Sequence, residues 1–164
     1  MIAKDPSKGE IKKAIKTLKN NKAPGPDNIP ADALKADIET SAQILYELFG
    51  KIWEVEEVPA EWKEGHIVKL SKKGYSSICD NYRGIMLLSV YGKVLNKVML
   101  QRLKIAVDDK HRDNQAGYRQ NRSCADQIAT LRIILEQSHE FNSSLYTVFV
   151  DFTNAFDSLY RTVL

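Results

Sequence analysis

The sequence predicts an α/β fold, and three features of its hydrophobic pattern lead to this prediction. Apolar residues recur at helical spacing in four segments, 7–18, 38–52, 94–106 and 124–135. Two segments in the middle, 66–70 and 82–88, have the composition of strands. A further segment, 145–150, is mostly apolar and leads directly into Asp151, which is the pattern of a buried strand that ends in a carboxylate.

We interpret the N-terminal helices as scaffold. Ser7 and Glu10 have capping-box spacing, which predicts a helix start ahead of the first apolar stripe. The loop 20–28 contains two prolines and a glycine that break this helix, and Pro30 suits the first turn of a short helix running to Lys35. The lysines of the first helix are typical of a solvated face, although such a face can also lie along a phosphate backbone.

Composition excludes several classes of protein. With 164 residues, 43% hydrophobic and 27% charged, the chain is neither disordered nor a membrane protein. Its apolar runs are short and a signal peptide is lacking, so we expect an intracellular location, cytoplasmic and/or nuclear, without secretion. Cys79 and Cys124 lack metal-ligand spacing and indicate reduced thiols, with Cys124 in the core. A net charge of +3 permits a nucleic-acid partner without requiring one.

A basic hairpin is predicted in the middle of the chain. The strand candidates 66–70 and 82–88 are joined by a polar segment rich in turn residues. Lys72 lies at the start of this connection and Arg83 on the returning strand, so both can face one ligand. A lysine as a point charge and an arginine that binds bidentately suit a triphosphate. A solvated basic loop is the alternative.

A second basic cluster precedes the last predicted helix. Ser123 is expected to be the N-cap of that helix. Arg119 and Arg122 flank this start beside Tyr118. Because arginine binds phosphates bidentately and an aromatic ring can stack on a base or ribose, we expect a nucleic-acid contact here. Two solvent-exposed surface arginines are the alternative.

The segment 151–157 carries the strongest chemical signal. Two-metal phosphoryl transfer needs a carboxylate on a rigid element to hold Mg2+ ions about 3.5–4 Å apart. Asp151 is the candidate, but one aspartate cannot hold two metal ions, so the chain is expected to contain half of a catalytic site. We interpret Asp157 as a residue at a helix start.

Seven blocks of sequence, taken together and in this order, resemble a known family. The chain is similar to the N-terminal part of the reverse transcriptase domain of non-LTR retrotransposons, close to the RTE-like endonuclease–reverse transcriptase polyproteins. The resemblance runs from about residue 10 to the end. Its blocks are 22–27 (KAPGPD) with 29–30 (IP), 59–62 (PAEW), 72–74 (KKG), 81–85 (NYRGI) with 87–89 (LLS), 92–94 (GKV), 115–119 (QAGYR) with 122–123 (RS) and 126–127 (DQ), and 151–157 (DFTNAFD).

This resemblance implies an α/β fold of a particular kind, a truncated polymerase right hand. The implied parts are a helical N-terminal extension (1–56), fingers (57–143) and the start of the palm with the first catalytic aspartate motif (144–164). Together they would be one incomplete domain. The first palm strand would then lack its partners and expose a hydrophobic edge.

The resemblance also implies roles for individual residues. Asp151 matches the first catalytic aspartate, a Mg2+ ligand, and the carbonyl of Phe152 would be a further ligand. Phe152 and Phe156 belong to the implied dNTP site, where Phe156 matches the aromatic gate that rejects a ribose 2′-hydroxyl. Lys72 and Arg83 match the residues that grip the triphosphate. A block that lies against the template strand is implied for Gly117, Arg119, Arg122 and Ser123.

The implied activity is RNA-directed DNA synthesis with two Mg2+ ions, and the implied partners are an RNA template, a DNA primer and dNTP, with no membrane. The sequence ends before the family's glycine-rich block and Tyr/Phe-x-Asp-Asp turn, so we expect a fragment that is inactive alone and lacks the C-terminal palm and thumb. The alternative is a catalytically dead remnant that at most binds RNA. Three positions depart from the family pattern, Asn28, Ser71 and Tyr160; asparagine tolerates a positive φ, so the turn at 28 should form.

Overall fold

The computed structural model describes residues 4–72, 74–152 and 160. They form helices and one two-stranded antiparallel sheet, which confirms the predicted mixture of helix and strand. The chain divides into two compact units, Met1–Lys110 and His111–Leu164. Over the described residues, no helix combines the length and apolar character that a membrane crossing requires. The proposed boundaries of extension, fingers and palm stay predictions.

Helix α1, Lys8–Lys16, begins at the predicted capping box. Ser7 Oγ accepts a hydrogen bond from the backbone N–H of Glu10 at 3.4 Å, and the Glu10 carboxylate accepts one from the backbone N–H of Ser7 at 2.8 Å. These two bonds satisfy donors that a helix start otherwise leaves without a partner. The predicted apolar stripe is buried, namely Ile11, Ala14, Ile15 and Leu18.

Two further helices follow the proline-containing loop. Helix α2, Ala31–Ala36, has Pro30 as its N-cap, one position ahead of the predicted first turn. Helix α3, Ile38–Val55, starts at Asp37, whose carboxylate accepts from the backbone N–H of Thr40 at 3.1 Å. As predicted, α3 is amphipathic and ends before the proline at position 59. Its buried residues are Ala42, Leu45, Phe49 and Ile52.

The predicted hairpin is present. A short helix α4, Ala60–Lys63, leads into strand β1, Gly65–Ser71, which pairs antiparallel with β2, Tyr82–Leu88. The register runs from Gly65 opposite Leu88 to Ser71 opposite Tyr82. Most side chains on both strands are exposed. The hairpin therefore projects from the helices of the first unit rather than forming part of its core.

Helix α5, Val90–Asp108, begins directly after β2 and completes the core of the first unit. Its residues Val90, Val94 and Val98 are buried together with the apolar faces of α1, α2 and α3. Each apolar side chain buried in this way stabilises the fold by about 1.5–3 kcal/mol. Trp62 packs edge-on against Phe49, with ring centroids 6.1 Å apart, and so fixes α4 on the same core.

The second unit contains helix α6, Cys124–Glu140, which begins at the predicted N-cap Ser123. Ser123 Oγ accepts from the backbone N–H of Asp126 at 3.2 Å, and the Asp126 carboxylate accepts from the backbone N–H of Ser123 at 3.2 Å. The prediction that Cys124 is a core thiol is wrong, since this residue is exposed. Helical periodicity identifies an apolar face, but it does not show whether another element covers that face.

The prediction of a buried strand at 145–150 is also wrong for the described chain. These residues adopt no regular secondary structure, and Tyr146, Val148 and Phe149 are 81–91% exposed. Apolar, β-branched and aromatic residues favour a strand only where a neighbouring strand supplies hydrogen bonds and a packing surface. Over the described residues, the sheet contains β1 and β2 alone.

Candidate nucleotide and nucleic-acid interface

The hairpin brings Lys72 and Arg83 to one face. Arg83 is opposite Leu70 in the ladder. The backbone N–H of Lys72 donates to the carbonyl oxygen of Asn81 at 2.6 Å, which continues the ladder by one pair beyond β1. Because alternate residues of a strand share a face, Lys72 lies on the side of Leu70 and is a diagonal neighbour of Arg83. Such neighbours are separated by about 7–8 Å, which is close enough for two long basic side chains to reach one polyphosphate.

The opposite face of the hairpin carries a different cation. Lys69 Nζ lies 5.7 Å from the centroid of the Tyr82 ring, at the distance of a cation–π contact. Lys69 is paired with Gly84, so its side chain is on the other side of the sheet from Arg83. The register thus separates a Lys72–Arg83 face from a Lys69–Tyr82 face.

Asn81 organises the tip between the strands. Its amide Nδ2 donates to the carbonyl oxygen of Tyr75 at 2.8 Å, and the Tyr82 hydroxyl donates to the carbonyl oxygen of Ser76 at 2.9 Å. Gly74 has φ +131°, and a Cβ there would come within 2.7 Å of the Asn81 amide. The tip next to Lys72 is therefore an ordered turn that these hydrogen bonds hold in place. The sequence did not indicate this role of Asn81, although Asn81 and Arg83 belong to the same family block.

The loop 22–30 fastens the junction between β2 and α5. A Cβ on Gly25 would lie 2.4 Å from the carbonyl oxygen of Leu88, so this backbone approach requires glycine. Asp27 Oδ2 accepts from the hydroxyl of Ser89, a buried residue, at 2.7 Å. Asn28 has φ +55°, as expected for an asparagine where the family has glycine. The loop thus holds the base of the hairpin in place.

An ion pair joins α1 to α5. Arg102 Nε lies 2.7 Å from Glu10 Oε1, and Arg102 Nη2 lies 2.8 Å from Glu10 Oε2, so the contact is bidentate. The hydrogen bonds from Arg102 are the largest cause that lowers the pKa of Glu10, to about 2. The Arg102 guanidinium also lies 5.7 Å from the Trp53 ring centroid. The ion pair between Arg102 and Glu10 positions α5 against α1. The sequence did not reveal this pair, because its partners are 92 residues apart.

The second unit holds the predicted template block in a series of turns ahead of α6. Tyr118 has φ +58° and is 91% exposed. The Arg119 Nη1 group donates to the carbonyl oxygen of Arg112 at 3.0 Å, and the Ser123 hydroxyl serves as the helix cap. Arg122 is exposed. The two arginines are thus presented from one short turn region, and Ser123 has a structural task of its own.

Gly117 differs from Gly25. A Cβ at Gly117 would meet only Gln115 Nε2, at an ordinary 3.6 Å, and its φ lies outside the left-handed region. Packing over the described residues therefore does not require glycine at this position. A glycine that its own chain does not require is consistent with the close approach of a ligand. The roles of all four residues of this block stay predictions.

Asp151 and Phe152 are exposed and lie in irregular chain. A carboxylate and a backbone carbonyl are hard oxygen donors of the kind that Mg2+ prefers, so these residues fit the ion in type. They do not fit it in number, because no group of three or more acidic, histidine or cysteine residues able to hold a metal occurs in the described chain. Phe156 and Asp157, which were predicted to be the sugar gate and a helix-start residue, lie outside the described residues.

Comparison with known proteins adds the decisive observation. The family model described as reverse transcriptase (RNA-dependent DNA polymerase) matches residues 70–162, more than half of the 164 residues. The chain belongs to the reverse transcriptase family. The match starts just before Lys72 and includes Arg83, the template block and Asp151, so the residues singled out from sequence all lie within it.

Curated relatives extend this likeness over the N-terminal helices. They include an RNA-directed DNA polymerase from transposon BS (30% identical) and a 115 kDa protein in the type-1 retrotransposable element R1DM (32%), both of Drosophila melanogaster. The RNA-directed DNA polymerase from the mobile element jockey of the same organism is 26% identical. These alignments cover 92–93% of this chain but 15–17% of the relatives. The reverse transcriptase chain thus spans about one sixth of their length. The predicted kinship with non-LTR retrotransposon polymerases is confirmed, and the RTE-like placement stays a prediction.

Proposed function

We propose that this reverse transcriptase chain is part of an RNA-directed DNA polymerase of a non-LTR retrotransposon, acting inside the cell on an RNA template and a DNA primer. The observation that carries this proposal is the family match, which includes both the basic hairpin and Asp151. The names of the transposon BS and jockey relatives, as RNA-directed DNA polymerases, support it. In this proposal 1–56 is a helical extension, 57–143 the fingers and 144–164 the start of the palm.

The proposed chemistry is in-line attack of a primer 3′-hydroxyl on the α-phosphate of a dNTP. Lys72 and Arg83 bind the negative charge of the triphosphate from one face of the hairpin, Lys72 as a point charge and Arg83 by paired hydrogen bonds. Asp151 and the carbonyl of Phe152 would supply part of the oxygen ligands of Mg2+, and a bound metal ion would supply neutralisation of the phosphate charge. Phe156 excludes the ribose 2′-hydroxyl.

The proposal assigns the nucleic acid to the second unit. Arg119 and Arg122 contact template phosphates, Tyr118 offers a stacking surface, and Gly117 permits close approach of the strand. Ser123 acts mainly through its cap, which fixes the start of α6 directly after Arg122. This assignment rests on the exposure of Tyr118 and Arg122 and on the lack of a packing reason for glycine at 117.

The test is primer extension on an RNA template with Mg2+, using the longest polypeptide that contains this sequence. Asp151→Asn should lower the rate of incorporation at least about 100-fold, because a neutral amide holds the metal weakly. The matched control is Asp113→Asn, an exposed aspartate of the same unit, which should leave the rate unchanged. Equal rates for Asp151→Asn and the parent protein would refute the catalytic role. RNA binding without any incorporation would favour the non-catalytic remnant.

A further inference from the structure

A cluster of lysines surrounds the C-terminal end of α1 in the first unit. Lys97 Nζ, from α5, donates to the carbonyl oxygen of Thr17 at 2.7 Å and to its hydroxyl at 2.8 Å. Lys35 Nζ, from α2, donates to the carbonyl oxygen of Leu18 at 2.9 Å. Thr17 is the C-cap of α1 and Leu18 follows it, so both cations lie at the end of the helix where its dipole favours positive charge. Lys35 and Lys97 therefore have a structural role.

Three more lysines lie at the same place without such a role. Lys19, Lys22 and Lys93 line one cavity of about 210 Å³, whose apolar lining includes Leu18 and Val90. Over the described residues, no hydrogen bond or ion pair involves the side chains of these three lysines. Contacts at the end of α1 thus account for Lys35 and Lys97. The ammonium groups of Lys19, Lys22 and Lys93 are left around a depression of the surface.

The pKa of Lys97 shows that the ammonium groups of this cluster are close together. Partial burial lowers the pKa of Lys97, and the ammonium groups of Lys19 and Lys35 lower it further. The Asp32 carboxylate, on α2, accepts a hydrogen bond from the backbone N–H of Asn21 at 3.0 Å. Repulsion between like charges weakens the folded state, so this arrangement is more stable when a polyanion lies against it.

We propose that the lysine cluster Lys19, Lys22, Lys35, Lys93 and Lys97 binds the phosphate backbone of a nucleic acid, through residues other than those of the Lys72–Arg83 face and the template block. Two of the five groups come from the loop after α1, one from α2 and two from α5. Such a spread suits a chain of phosphates better than one small anion. Lysine, as a flexible point charge, fits contacts that carry no base sequence. In a chain of the reverse transcriptase family, the polyanion at hand is a nucleic acid.

The test is the salt dependence of RNA binding by the 164-residue chain, measured by fluorescence anisotropy of a labelled RNA hairpin in about 50–300 mM KCl. Each phosphate contact contributes about 0.7–0.9 to the slope of log affinity against log salt concentration. The triple variant Lys19→Gln, Lys22→Gln, Lys93→Gln should lower this slope by about 2 and weaken binding at least about tenfold near 0.1 M salt.

The matched control is the triple variant Lys8→Gln, Lys13→Gln, Lys51→Gln, which removes the same charge from exposed positions of α1 and α3. It should change the slope by less than half as much as the cluster variant. Equal effects of the two triple variants would overturn the proposal, as would poly-glutamate binding as tight as RNA binding. Circular dichroism establishes that each variant is folded, and the single change Lys22→Gln, in an exposed loop, gives the same comparison if the triple variant unfolds.

The outcome is independent of the proposed polymerase function. Asp151→Asn should abolish incorporation and leave the slope unchanged. The cluster variant should lower the slope whether or not the parent protein incorporates nucleotide. A variant that lowers the salt slope but still incorporates nucleotide affects only the lysine cluster. A variant that loses incorporation but keeps the slope affects only the polymerase site.

Discussion

Gly25 has no room for a side chain, because a Cβ added there would make the shortest contact of any glycine in the first unit. An added Cβ would lie 2.4 Å from the carbonyl oxygen of Leu88 and 2.7 Å from the backbone nitrogen of Ser89. Both atoms belong to the backbone, so neither can rotate away. The junction between β2 and α5 would have to separate from the loop 22–30.

Gly25→Ala should therefore lower the free energy of unfolding by about 1–3 kcal/mol, as overpacking does. The comparison is Gly50→Ala in α3, where a Cβ meets nothing within 4 Å. That change should stabilise the protein by about 0.5–1 kcal/mol, because alanine favours a helix interior over glycine. Urea denaturation measures both variants. A neutral or stabilising effect of Gly25→Ala would show that the loop does not approach β2 so closely.

Glu10 makes the stability of the fold depend on pH. Its pKa is lowered from 4.5 to about 2 in the folded protein, chiefly by hydrogen bonds from Arg102. Because the ionised carboxylate is favoured by folding, the ion pair stabilises the protein fully above pH 4.5, and this contribution is lost as the pH falls toward about 2. The carboxylate side chain is 36% exposed, so solvent screening limits the contribution to about 1 kcal/mol.

The prediction is that Glu10→Gln lowers the free energy of unfolding at pH 6 and that the difference from the parent protein shrinks between pH 4.5 and 2. Urea melts at several pH values measure it. Glu54→Gln, an exposed residue of α3, is the control and should show no such convergence. A difference that stays constant over this range would mean that Glu10 acts through packing rather than charge.

At the scale of the element, the hairpin separates two basic faces, and this separation can be tested. Arg83→Ala should raise KM for dNTP about tenfold or more in the primer-extension assay, because a charged hydrogen-bonding partner is lost. Lys69→Ala removes a cation of the same hairpin from the opposite face and should change KM little. Equal increases would mean that the register does not define the ligand face. A rise in KM for Lys69→Ala alone would place the ligand on the Tyr82 side.

The elements also show what the sequence can predict. The capping box at Ser7, the N-cap at Ser123 and the hairpin are set by residues close together in the chain, so the sequence sufficed to predict them. Contacts over long separations were missed, as between Asp27 and Ser89, 62 residues apart. The strand at 145–150 and the burial of Cys124 failed for another reason. Local pattern indicates which residues could be covered, but only a packing partner makes a strand or a core.

For the candidate site, the sequence predicted the pair Lys72 and Arg83. The strand register together with the backbone hydrogen bond from Lys72 to Asn81 places them on one face. It did not predict the supports beneath them. The Asn81 amide that holds the tip and the loop 22–30 that holds the base act through backbone atoms, which leave little trace in residue type. The binding and catalytic roles themselves follow from kinship and stay predictions.

At the scale of the molecule, all buried residues of the described chain lie between Pro6 and Val98, inside the first unit. A polypeptide of residues 1–110 should therefore fold by itself. Its thermal unfolding should be cooperative, with a midpoint within about 5 °C of the same transition in the 164-residue chain. Circular dichroism and calorimetry measure this. A fragment without a cooperative transition would show that the first unit depends on the rest of the chain.

Trp53 and Trp62, the two tryptophans of the sequence, both lie in this first unit, Trp53 near Arg102 and Trp62 against Phe49. The second unit contains tyrosine and phenylalanine but no tryptophan. Excitation at wavelengths that only indole absorbs therefore yields emission from one half of the molecule. Tryptophan fluorescence of the native chain therefore reports on the first unit without any attached dye. A change in this emission when RNA is added would indicate that RNA affects the unit that contains the lysine cluster.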